Sequence, residues 1–344
     1  MSNSISNAIS NSGPMKRYGI IGLVILQIAI LAYMAAGREY LLAYGKEVWL
    51  RTAPIDPRDP FRGDFVRLRY AISNLPANLL TDGEISKEEA ATFKGQIIYV
   101  SLQPDAGQVY RFKNATLDQP ANGTFLKGRV TNAPIWPTIR LDMKYGIEQL
   151  FVEQGKGKEI EEKLGTRDAI QVPMEVLLAV GDSGTSTIKD YRWSELGIKL
   201  EITRQPRDPN QNPQQFDVPL SPAVRVTLRN MSAEALRLDD AVNHCQFSLV
   251  AAQDPAHKSE DDRDLCDLEP HREKRHLAPG EAAVFEIDLA KPRWFVEHNG
   301  ERVTIGKTDD INRMYRLVYH GTAEPDGWQG QLPSRAFNAQ GRID

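Results

Sequence analysis

Nineteen consecutive residues without a charge, Tyr18–Ala36 (YGIIGLVILQIAILAYMAA), constrain this chain more than any other feature. At 1.5 Å rise per residue a helix of that length spans about 28 Å, close to the roughly 30 Å hydrocarbon core of a bilayer. Gln27 is its one strongly polar side chain, and Tyr18 and Tyr33 stand near its ends, where amphipathic rings favour the headgroup region. Signal-peptide apolar regions run to only ~7–15 residues. An uncleaved anchor is therefore the reading taken, with a cleaved signal ending at Ala35–Gly37 as the alternative. The apolar pattern continues through Tyr40, Leu41 and Leu42, so the helix is expected to cover 18–44. Lys16 and Arg17 precede the run with no acid before them. That places residues 1–17, a disordered tail, in the cytoplasm, and the bulk of the chain outside it.

The rest has an ordinary globular composition. Across 344 residues, 42 Lys+Arg against 46 Asp+Glu give a net charge of −4, which offers no basic field for a nucleic acid. Past residue 45 the pattern has period two. Val66, Leu68, Tyr70 and Ile72 alternate with Arg67, Arg69 and Ser73. Similar runs occupy 96–102, 109–115, 125–130, 138–145, 170–180 and 198–203, punctuated by Gly, Asn, Asp and Pro. Two short helices are expected, one opening at Ser86 with Glu89 as its capping-box partner, the other over 158–164. The stretch 204–217 holds three prolines and no aliphatic side chain before Val218 and reads as a linker. The fold expected is mainly β: a transmembrane helix, a barrel- or sandwich-like β-rich domain over 45–203, and an immunoglobulin-like β domain over 218–337. Residues 338–344 are expected as a disordered tail.

The segment PIDPRDPFRGDFVRLRY (54–70) and the segment KYGIEQLFVEQGKG (144–157), with Gly128-Arg129 ahead of the second, resemble the bacterial membrane-anchored family named for its GDYxxLxY motif. Gly63, Asp64, Leu68 and Tyr70 match that motif, while Phe65 stands where it has its first tyrosine. Any chemistry needing that tyrosine's hydroxyl is thereby excluded here. The resemblance implies an N-terminal anchor in a bacterial inner membrane, an exported β-rich periplasmic domain and, as partner, a neighbouring multi-pass membrane protein. It implies no activity. The binding or structural candidates are Asp56, Arg58, Asp59, Arg62, Gly63, Asp64, Leu68, Tyr70, Arg129, Tyr145, Gly146, Glu148 and Glu153. The dense alternating charge of Asp56–Asp64 reads first as an ion-pair network closing a turn, and second as a polar site shared with Arg129, Tyr145, Glu148 and Glu153.

Cys245 and Cys266 are the only cysteines. In an oxidising compartment they are expected to form one disulfide, with Cys245 on a strand. His244, His271 and His276 nearby do not make a standard zinc spacing with them. Asp254–His276 holds eight acids but no glycine for a calcium loop, and reads as solvated. GDSGTSTIKDYR (181–192) resembles part of a type I signal peptidase, but residues 38–62 lack the serine such an enzyme needs. No catalytic residue, metal or cofactor is expected. The function expected is that of an envelope protein binding or assembling with a membrane partner; the alternative is an envelope hydrolase using Asp64, Arg129 and Glu148.

Overall fold

The computed structural model describes residues 14–53, 65–80, 85–133, 139–153, 156–164, 169–204, 221–241, 244–267, 272–322, 324 and 326–344. Helix α1 (Pro14–Tyr44) takes in the whole apolar run, with Pro14 at its first position, where a missing N–H costs nothing. It is one N-terminal membrane-spanning helix: 27 residues, Tyr18–Tyr44, meet the length and composition for crossing, and none is packed inside protein.

Lys46–Asp344 is a separate compact unit. Its first strands are β1 (Lys46–Arg51), β2 (Phe65–Arg67) and β3 (Asn74–Pro76). Helix α2 (Lys87–Thr92) follows, then β4 (Ile97–Pro104), β5 (Val109–Thr116), β6 (Thr124–Asn132), β7 (Arg140–Lys144) and β8 (Gln149–Phe151). Helix α3 (Lys156–Leu164), β9 (Met174–Val180) and β10 (Ser186–Trp193) complete this half. Eight strands form one sheet in the order β10-β9-β1-β5-β4-β6-β7-β3, antiparallel except where β1 meets β5. Alternation explains the strands: Ile98, Val100 and Leu102 of β4 are buried while Gln103 is exposed. The Ser86–Glu89 capping box caps α2 as its spacing predicts, Glu89 N donating to Ser86 Oγ and Ser86 N to Glu89 Oε2. Strands β1 and β10 carry too little alternation to be read from sequence; β9 recruits both by pairing along each of its edges.

The second core is built by β11 (Leu196–Arg204), β12 (Ala223–Asn230), β13 (Leu236–Ala241), β14 (Phe247–Ala251), β15 (Arg272–Leu277) and β16 (Ala282–Asp288). Strands β17 (Val296–His298), β18 (Glu301–Val303), β19 (Met314–His320), β20 (Gln331–Pro333) and β21 (Phe337–Asn338) complete the chain. A three-stranded sheet, β11-β12-β16, and a four-stranded one, β14-β19-β20 with β21 on β19, share this core. Phe247 packs edge-on against Phe285, ring centroids 5.1 Å apart, joining one sheet to the other. Because β11 pairs with β12, the segment 205–217 connects two strands of one sheet and lies outside the described residues.

Two expectations are corrected. Residues 339–344 are not a loose tail: Ala339 is fully buried, Ile343 bridges to Phe337, and Asp344 N donates to Ala336 O. The apolar contacts of Ala339 and Ile343 with the second core outweigh the polar residues around them. The acidic stretch is not a solvated loop either. Asp261 is buried in an ion pair with Arg293, whose Nη2 also donates to Phe247 O at 2.9 Å.

Candidate functional site

The two motif segments meet through their tyrosines. After β2, the chain stays extended through Leu68 and Tyr70 and then makes a 3₁₀ turn over Ala71–Ser73. Ser73 N donates to Tyr70 O, and Tyr70 N donates to Ser73 Oγ. That turn leaves the Ile72 carbonyl without a ladder partner, and Tyr145 Oη donates to it at 2.8 Å. In return Tyr70 Oη donates to Ile147 O at 2.8 Å. Each tyrosine thus bonds the carbonyl two residues beyond the other. Val66, Leu68, Tyr70 and Ile72 are all buried and Arg67 and Arg69 exposed, as the alternation read from the sequence has it, although only Phe65–Arg67 is strand. Ser73, expected outward, is buried because the 3₁₀ turn breaks the parity.

The second segment is shaped to make this possible. Glu148 Oε1 accepts from Tyr145 N at 2.6 Å and its Oε2 from Gly146 N at 3.1 Å. Gly146, at φ +85°, takes the left-handed turn that any side chain resists. Leu68 N donates to Glu148 O, carrying on the pairing of β2 with β8. Gly128 on β6 lies under the Tyr145 ring: a Cβ there would sit 2.6 Å from Tyr145 Cε1. The Gly-Arg pair is therefore a glycine needed for close approach, followed by an exposed arginine that donates to Gly95 O at 2.8 Å. Burial, then the charge of Glu148, pushes both tyrosine hydroxyls well above their ordinary value, so both stay protonated and able to donate.

Of the candidates, the structure joins Leu68, Tyr70, Tyr145, Gly146 and Glu148 in this clasp. Glu153 lies on the surface, paired with Lys156 at 2.7 Å. Asp56, Arg58, Asp59, Arg62, Gly63 and Asp64 lie outside the described residues. Arg129 and Glu148 do not meet at an open site; each is engaged by main-chain groups, and neither lines a cleft. Among the described residues no three His, Cys, Asp or Glu side chains gather to hold a metal ion. Cys245 and Cys266 are disulfide-bonded, Cα atoms 5.6 Å apart. Cys245 lies in the turn entering β14 rather than on the strand, because Arg263 Nη2 holds its carbonyl at 3.0 Å.

Sequence reasoning missed a large concavity. A cleft of about 740 Å³ opens between the first and second cores, lined by β1, β5 and the Tyr70–Ile72 turn on one side and by β19 and residues 252–257 on the other. Seven arginines line it against four aspartates. Four lie on strands far apart in sequence (Arg51, Arg111, Arg140 and Arg316) and three, Arg69, Arg313 and Arg342, lie outside the strands, so no local signal marks them as a group. Arg51 is held by Glu175 at 2.5 Å and donates to Gln331 O, tying β1 to β20. Burial first, and the charge of nearby arginines second, hold the His257 and His320 rings at about 4.

No curated protein and no solved structure matches this chain. The clasp nevertheless ties together the segments from which the resemblance was read, and it lies within the stretch that a family comparison picks out: residues 27–190 match the family model described as GDYXXLXY protein.

Proposed function

We propose that this protein is a single-span membrane-anchored binding module, with its β-rich part in the periplasm of a bacterial inner membrane. It engages a membrane partner rather than transforming a substrate. The observation that carries this reading is where the motif side chains are committed. Tyr70, Tyr145 and Glu148 each bond main-chain groups, so these three signature side chains build a scaffold rather than standing poised at an opening. The C-terminal part, 218–337, is read as an immunoglobulin-like sandwich, supported by two antiparallel sheets facing one core. Two bases, Lys16 and Arg17, and no acid ahead of the apolar run support export of everything after it. A C-terminal alkaline-phosphatase fusion tests the topology. Activity, with an equivalent cytoplasm-only fluorescent fusion dark, is the expected result; a bright fluorescent fusion and inactive phosphatase would reverse it.

A further inference from the structure

We propose that the cleft between the two cores is a binding site for an oxyanion, a phosphate or carboxylate group, carried on an apolar body. This names the ligand of the binding module read above.

The argument starts from hydrogen-bond accounting. A buried donor without an acceptor is costly, and native proteins leave few. In the cleft, Arg111 Nε and Arg140 Nε are both buried and, among the described residues, have no hydrogen-bond partner. Among the described residues Arg69, Arg140 and Arg342 meet no carboxylate, whereas Arg51 and Arg313 are already paired with Glu175 and Glu260.

Three of the cleft's four acids do not fill the gap, because main-chain amides hold them. Asp105 Oδ1 accepts from Gly107 N and Val109 N at 2.9 and 3.1 Å, and its other oxygen stays 3.8 Å from Arg111 Nε. Asp254 accepts from Ala256 N and Lys258 N, and Asp310 from Asn312 N. Asp344 faces Arg316. The surplus is thus one of donors without acceptors, and a group that only accepts, with several oxygens, satisfies it. Arginine forks suit phosphate and carboxylate in particular. His257 protonation is suppressed first by burial and then by the charges of Arg316, Arg111 and Arg51, and that second contribution agrees with a positive field at this place.

The apolar body follows from the walls. Leu50, Val109, Phe112, Ile72, Met314 and Pro333 line the same space. Its volume lies within the roughly 300–1,000 Å³ of small-molecule sites. A bare inorganic ion would leave those walls uncovered.

The test is calorimetric titration of the full-length protein in phosphatidylcholine nanodiscs with phenyl phosphate, phenol and inorganic phosphate. Saturable binding of phenyl phosphate is expected, at least tenfold tighter than either half alone. Arg111→Gln and Arg140→Gln should each weaken it about tenfold or more, while Arg225→Gln, on the surface pair with Glu286, should bind as the parent does. Equal binding of phenol, no saturation, or unchanged affinity in both cleft variants would overturn the proposal. Should a cleft variant fail to fold, the contrast between phenyl phosphate and phenol on the parent protein still decides. Repeating the titration in discs containing phosphatidylglycerol separates the sources of the same oxyanion. A weakened isotherm assigns a bilayer lipid, and an unchanged one a diffusible anion. The titration and the topology fusion fail independently, so loss of one reading is distinguishable from loss of the other.

Discussion

Tyr70 and Tyr145 hold each other's segments by exchange: each hydroxyl donates, at 2.8 Å, to the carbonyl two residues past the other ring. Both rings are buried, so each bond is made where water cannot replace it. The pair closes the Ala71–Ser73 turn onto the turn after β7, two pieces of chain that share no ladder with each other.

Removing one hydroxyl leaves a buried carbonyl unsatisfied. Tyr70→Phe and Tyr145→Phe should each lower the unfolding free energy by about 1–3 kcal/mol with the β-sheet spectrum kept. Since the two bonds brace one junction, the double variant should depart from additivity by about 0.5 kcal/mol or more. Urea unfolding of the three variants measures both quantities. Losses within 0.3 kcal/mol of zero would deny the clasp its structural role.

Gly128→Ala places a methyl against the Tyr145 ring edge and the Met143 Cε, both 2.6 Å from the added carbon. Methionine can swing away, but the ring is held by its hydroxyl, so the cost should be about 1–3 kcal/mol. Thermal unfolding reads it directly, with Gly95→Ala a poor comparison because its own φ is positive and Gly157→Ala a good one.

The disulfide between Cys245 and Cys266 spans a separation of 21 residues. On the chain-entropy account, reducing it should cost roughly 3 kcal/mol. The buried Asp261–Arg293 pair holds the same loop from inside, Arg293 Nε lying 3.0 Å from Cys266 Sγ. Reduced protein is therefore expected to unfold at lower denaturant while keeping its native spectrum in water. Identical midpoints with and without reductant would contradict this.

Stability should fall as pH drops from about 6.5 to 4. The His257 and His320 rings titrate at about 4 when folded, against an ordinary value of 6.5. Between those limits the unfolded chain binds more protons, so acid favours it. Each ring contributes up to about 3 kcal/mol by linkage. Comparing the parent with the His257→Gln/His320→Gln double variant at pH 7 and pH 5 isolates this from the carboxylates. The double variant should lose less stability over that interval, and equal losses would refute it.

What the sequence determined by itself was local. A charge-free run is long enough or it is not, and α1 follows from that alone. Alternation placed Val66, Leu68, Tyr70 and Ile72 inward, because side-chain direction along extended chain is a matter of parity. The Ser86–Glu89 cap needed only its spacing. Tertiary structure decided the rest. Why motif segments so far apart carry tyrosines, a glutamate and a glycine became visible only when β6, β7 and the Ala71–Ser73 turn were brought together. The same holds for β11, which pairs across the 205–220 segment with β12, and for Asp261, whose burial depends on Arg293 arriving from another part of the chain. Four of the seven cleft arginines come from β1, β5, β7 and β19. Each satisfies a strand's polar parity, and nothing in that parity says which of them will face one another. Long-range pairing alone sets that, through the register of strands whose order in the sheet is not their order in the chain.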